Sequence, residues 1–212
     1  PLRIDVLNKL AQLETLSDSD MVEQQRQAML DSRAPNASVE AILHAIIPFQ
    51  YVDHTHANAI LAMTNTENGL ERVRELFGNR VIVIPYVMPG FALAKLVYEQ
   101  TKDASWEDYE GMVLMNHGIF TFSDNAKESY ERMILLVTEA EDYLDRAKAL
   151  KPALGQGACD PLELARLRKN ISDLRGVPVV AKLDSSPEAI GFANLENAGE
   201  IGTRGPLTPD HS

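Results

Sequence analysis

The stretch Gly111–Ser123, GMVLMNHGIFTFS, decides the fold. Its first half, GMVLMN, is a short apolar run in the pattern of a strand buried on both faces. Gly118 breaks the run, and IFTF resumes as a partner strand. Ser123 is then expected to cap a long helix from about Asn125 to Leu150.

Outward from this pair, RVIVIPYV (80–87) lies between Asn79 and Pro89-Gly90 and reads as another buried strand, ending at Tyr86. QYVDHTH (50–56) is partly β-branched and aromatic, and is assigned as a strand followed by helices over Ala57–Met63 and Glu67–Phe77. Phe91–Gln100 is expected to be helical. Further upstream, Ser17 and Asp20 resemble a capping box opening the helix DMVEQQRQAML, which runs to about Asp31. After a loop at Pro35-Asn36, the apolar positions Val39, Ile42, Leu43, Ile46 and Ile47 repeat with the period of one buried helical face, and Pro48 ends it. Glu40 and His44, one turn apart, share a flank of that helix.

Beyond Lys151 the character changes. PALGQGACDP (152–161) is rich in turn formers, LELARLRKNISDL (162–174) returns to one helix, VPVVAKL (177–183) is expected as a strand, and the tail from Ser185 carries little pattern. Helices and strands interleave without a strict βαβ rhythm, which gives a mixed α/β layer structure. The division adopted is a core over 1–150 and an extension over 151–212.

The composition narrows the function. With 45% hydrophobic residues in 212, the chain can bury a sizeable core as one domain with a small appendage. Its 20 Lys and Arg face 31 Asp and Glu, a net charge of -11, which sets the overall field against phosphate backbones and anionic lipid. No nucleic-acid or membrane partner is therefore expected. A single cysteine, Cys159, leaves no internal disulfide framework and no multi-cysteine metal pattern, which suits a reducing cytoplasm. No apolar run approaches the roughly 18 to 20 residues that span a bilayer. A start on Pro1 without methionine reads as a piece of something longer.

Five histidines are present: His44, His54, His56, His117 and His211. Side chains alternate along a strand, so His54 and His56 point to the same side at a distance that one metal ion can bridge. Taken alone, such a pair is also consistent with two polar side chains at a strand edge. His117 ends a buried strand just before Gly118, where a turn can aim its ring into a pocket. Three imidazoles leave a coordination position open, the arrangement of a catalytic zinc and not of a structural one. Glu40 is read as a first-turn helix glutamate, placed to take a proton from a substrate bound beside the metal. His44 is given a supporting part, Tyr86 a hydroxyl at a strand end, and His211 an exposed position.

The segments PNASVEAILHAIIPFQYVDHTHANAI (35–60), PYVMPGF (85–91), MNHGIFTFSDNAKESYERM (115–133) and GPLTPDH (205–211) together resemble the class II aldolase/adducin family. The likeness covers most of the chain and is strongest over 35–144. The wording is most similar to the aldolase portion of bacterial proteins that join a rhamnulose-phosphate aldolase to a short-chain dehydrogenase. The resemblance implies a three-layer α/β/α fold with a central, largely antiparallel sheet, and a homo-oligomer, typically a tetramer. It implies zinc held by His54, His56 and His117, Glu40 as acid/base, Ser38 as a phosphate contact, and Tyr86 as a proton donor supplied across a subunit boundary. The implied reaction is reversible cleavage of a ketose 1-phosphate, of the rhamnulose or fuculose type, to dihydroxyacetone phosphate and an aldehyde. An epimerase or dehydratase on the same scaffold is the alternative, as is a non-catalytic adducin-like oligomerisation domain, from which the histidines would be missing. One family feature, a glycine-rich phosphate segment upstream of the first matched helix, has no counterpart in this sequence.

Overall fold

A computed structural model describes residues 1–149 and 153–208. The expected helix end at Leu150 and the reading of His211 lie outside the described residues. The chain separates into two compact units, Pro1–Lys148 with Pro206–Ser212, and Ala149–Gly205.

The first unit is built on four strands: β1 (Tyr51–Thr55), β2 (Val81–Ile84), β3 (Gly111–Leu114) and β4 (Gly118–Ser123). Their order across the sheet is β1-β4-β3-β2. β1 and β3 both run antiparallel to β4, and β2 runs parallel to β3, so the sheet is largely antiparallel. The period of two in 111–123 divides the core between the faces. Met112, Leu114, Phe120 and Phe122 join one cluster, while Val113, Met115 and Ile119 join the other. Each buried phenylalanine contributes about 1.5–3 kcal/mol through the apolar area it removes from water.

The first face is covered by α1 (Ile4–Gln12), α3 (Ala41–Ile46) and α6 (Phe91–Thr101), and the second by α4 (Asn58–Thr64), α5 (Gly69–Phe77) and α7 (Ala126–Arg146). The architecture is thus three-layered, helix on sheet on helix. α2 (Asp18–Gln27) opens as expected: the Ser17 hydroxyl accepts from the Asp20 amide at 3.1 Å. Asp18 also accepts from the Phe91 amide at 2.9 Å and so caps α6. That approach needs Gly90, because a Cβ there would lie 2.5 Å from the carboxylate oxygen.

The cap of α7 differs from expectation. Asn125 takes that position, its side-chain oxygen accepting from the Lys127 and Glu128 amides at 2.9 and 3.3 Å. Ser123 is the last residue of β4, and its hydroxyl donates to Glu128 instead. The second unit holds α8 (Pro161–Arg175), α9 (Pro187–Ala193) and α10 (Ala198–Gly202). VPVVAKL is not a strand: its residues adopt no regular structure, and Val180 is 97% exposed, without the neighbouring strand that would pair it. The tail, in turn, carries two helices, α9 beginning with a Ser186 cap and Pro187 in its first turn.

Candidate metal centre

Three chain segments from different parts of the sequence meet at one point on the α3 side of the sheet. The first is the entry to α3. The Glu40 amide donates to the Ser38 hydroxyl at 3.2 Å, and this local turn delays the helix to Ala41, so Glu40 is its N-cap residue and not a first-turn residue. The Ser38 hydroxyl returns a hydrogen bond to Glu40 Oε2 at 3.1 Å, which leaves Oε1 to face the sheet.

The second segment is the end of β1. His54 pairs across the sheet with Phe120, and the two rings stack at 4.0 Å with 16° between their planes. The strand stops at Thr55, so His56 follows it instead of lying within it, yet its Nε2 is 3.0 Å from that of His54. The third segment is the turn between β3 and β4, where His117 is only 1% exposed. Asn116 before it has a positive φ of 59°, and Gly118 after it has no room for a side chain. A Cβ at 118 would meet the Thr55 carbonyl oxygen at 2.6 Å, His56 Cδ2 at 2.9 Å and His54 Cε1 at 3.0 Å.

Glu40 Oε1 lies 2.9 Å from His117 Nε2, 3.0 Å from His54 Nε2 and 3.6 Å from His56 Nε2. One donor atom from each of the four residues falls within 4.8 Å of all the others. The donor set itself fits a cation. His54 Nδ1 is 3.0 Å from the Ile119 carbonyl oxygen, which can only accept, so Nδ1 carries the proton. In the neutral ring Nε2 then turns a lone pair toward Glu40 Oε1 at 3.0 Å, an opposition that a cation held between them relieves. Burial opposes ionisation of Glu40, but the hydrogen bonds that His117 and Ser38 offer it lower the carboxyl below the usual carboxylate range.

Ser38, Glu40, His54, His56 and His117 are therefore brought together. Tyr86 stands apart: it follows β2, is 47% exposed, and donates its hydroxyl to the Met88 sulfur at 3.9 Å. Among the described residues that hydroxyl makes no hydrogen bond to Glu40 or to the imidazoles. Its side chain lines a cavity of about 690 Å³ with Asn65, Arg74, Gln100 and Asn116. His44 sits edge-on to Phe120 at 5.3 Å and supports the wall behind His54. Sequence reasoning missed Asn116, although asparagine ahead of His-Gly between two strands is a signal for a left-handed turn residue.

Residues 7–144 match the family model described as the class II aldolase and adducin N-terminal domain. A curated relative, an uncharacterized oxidoreductase called YuxG from Bacillus subtilis (strain 168), is 28% identical over 220 residues, covering 99% of this chain and 32% of that protein. Among solved structures, the N-terminal class II aldolase domain of a conserved protein from Thermoplasma acidophilum is 38% identical, with a TM-score of 0.61 over 68% of this chain and 65% of that one. An aldolase II superfamily protein from Pseudomonas syringae is 21% identical, with a TM-score of 0.44 over 69% of this chain and 67% of that one. The chain thus spans about a third of the curated relative and somewhat under two thirds of the Thermoplasma chain.

Proposed function

From the premise that this chain belongs to the class II aldolase and adducin family, we propose that it is the aldolase unit of a zinc-dependent enzyme that reversibly cleaves a ketose 1-phosphate. The products would be dihydroxyacetone phosphate and an aldehyde, with a rhamnulose- or fuculose-type sugar as substrate. The observation that carries this reading is the convergence of three imidazole nitrogens and one carboxylate oxygen at a single point. His54, His56 and His117 would hold the ion. When bound, a divalent ion supplies a Lewis acid that polarises the substrate's carbonyl oxygen and acidifies the adjacent carbon.

The chain's own residues would handle the proton. Glu40, whose Oε1 faces the imidazoles, would accept it there. The stack on Phe120 and the Ile119 carbonyl keep His54 in one orientation and one tautomer, so the donor set needs little reorganisation. Ser38 lies exposed at the rim, where its hydroxyl would exchange the hydrogen bond to Glu40 Oε2 for one to the substrate phosphate. Tyr86 would act from a second copy of the chain, protonating the aldehyde oxygen in the condensation direction. Its separation from Glu40 within one chain and its exposure support that assignment. We take the assembly to be a homo-oligomer, a tetramer on the family pattern.

Among the described residues no helix is long and apolar enough to cross a membrane. The sugar-phosphate reaction and the single exposed cysteine fit a cytoplasmic setting. The relative named as an oxidoreductase, of which this chain matches 32%, supports placing the unit in a longer protein with a short-chain dehydrogenase portion. The test is a product assay on the full-length protein with rhamnulose 1-phosphate and fuculose 1-phosphate, before and after chelation. Metal-dependent release of dihydroxyacetone phosphate supports the reading. Metal-dependent formation of an isomer would replace it with an epimerase.

A further inference from the structure

The turn that delivers His117 is held from outside the metal centre. Asn116 has a φ of 59°, a left-handed conformation that asparagine visits more readily than other side-chain-bearing residues but still needs help to keep. Two contacts hold it. The His117 amide donates to the Leu114 carbonyl at 3.2 Å, closing the turn across the end of β3. The Asn116 side-chain amide donates to Asn65 Oδ1 at 3.1 Å.

Asn65 sits at the C-terminal cap of α4, on the opposite face of the sheet from Glu40. Its own amide donates to the Leu207 carbonyl at 2.9 Å. A carbonyl accepts only, so this bond fixes which way the Asn65 amide faces: Nδ2 toward Leu207, Oδ1 toward Asn116. The chain of contacts runs Leu207, Asn65, Asn116, His117, and its last member is a residue of the donor cluster.

We infer that Asn65 is a positioning residue for the metal centre, setting the approach of His117 by locking Asn116 in its left-handed conformation. The inference rests on the metal-site reading above. Without the Asn65 oxygen, Asn116 is free to leave the left-handed region, and His117, one residue on, turns with it.

The test uses the full-length protein stripped of metal and reloaded with cobalt(II), whose visible spectrum reports coordination geometry. Asn65→Ala should bind cobalt about 10- to 100-fold more weakly, the usual effect of losing an outer partner of a ligand. Its spectrum should change while far-ultraviolet circular dichroism stays that of the parent. Asn65→Asp, which keeps an oxygen for Asn116 but loses the bond to the Leu207 carbonyl, should fall between Asn65→Ala and the parent. In an Asn116→Gly background, where glycine adopts the left-handed conformation unaided, Asn65→Ala should add little further effect. A parent-like affinity and spectrum in Asn65→Ala would overturn the inference while leaving the metal site standing. A parent protein that takes up no cobalt would overturn the metal-site reading and this inference with it.

Discussion

The Nδ1 atom of His54 lies 3.0 Å from the carbonyl oxygen of Ile119, the residue that pairs with Thr55 across the β1-β4 ladder. A side chain of one strand is thus oriented by the backbone of the next. Because the carbonyl belongs to a sheet whose register is fixed by the buried Phe120 and Phe122, the tautomer of His54 is a property of the fold.

The closeness of the same strands makes Gly118 a sensitive position. Gly118→Ala would place a methyl group 2.6 Å from the Thr55 carbonyl oxygen, a backbone atom that cannot swing aside. Relieving the clash must separate β1 from β4 or displace the His54 and His56 rings. We expect a loss of about 1–3 kcal/mol in stability, the usual cost of overpacking, together with a weaker metal site. Denaturant unfolding and metal titration of the purified variant measure the two effects.

Much of this was legible in the sequence. The apolar runs in 111–123 predict two buried strands broken at Gly118, and the HTH and NHG segments bring three histidines into view. Other features depend on contacts that local pattern does not carry. Glu40 stands one residue ahead of its helix, its amide tied to the Ser38 hydroxyl, and apolar period does not locate a helix start to one residue. VPVVAKL has the composition of a strand but no partner to pair with, and strand formation is settled by the partner. Asn65 reaches Asn116 from 51 residues away, and Leu207 reaches Asn65 from 142, separations no short-range signal spans.

Glu40→Gln separates proton handling from metal binding. The substitution keeps the shape and the Ser38 contact while removing the charge. In the full-length protein it should leave the metal bound and slow turnover by roughly 10² to 10⁴, the typical contribution of general acid–base catalysis. Activity within a few-fold of the parent, in steady-state assays at matched metal content, would move the role to another residue.

The placement of Tyr86 away from Glu40 gives a test of sites shared between copies. Full-length Tyr86→Phe and Glu40→Gln proteins should each be nearly inactive. Mixed under conditions that allow subunit exchange, they should recover part of the activity, since some sites receive an intact Glu40 from one chain and an intact Tyr86 from another. Mixed oligomers that form and stay inactive would overturn the shared site and the proton-donor role of Tyr86.

Metal binding by the three histidines is tested most directly by anomalous diffraction at the zinc edge, from crystals of the protein purified without chelator. One strong peak per chain is expected, about 2.0–2.1 Å from Nε2 of His54, His56 and His117, with Glu40 beside it. Crystals with no peak at these residues, or with the ion bound elsewhere on the chain, would contradict it.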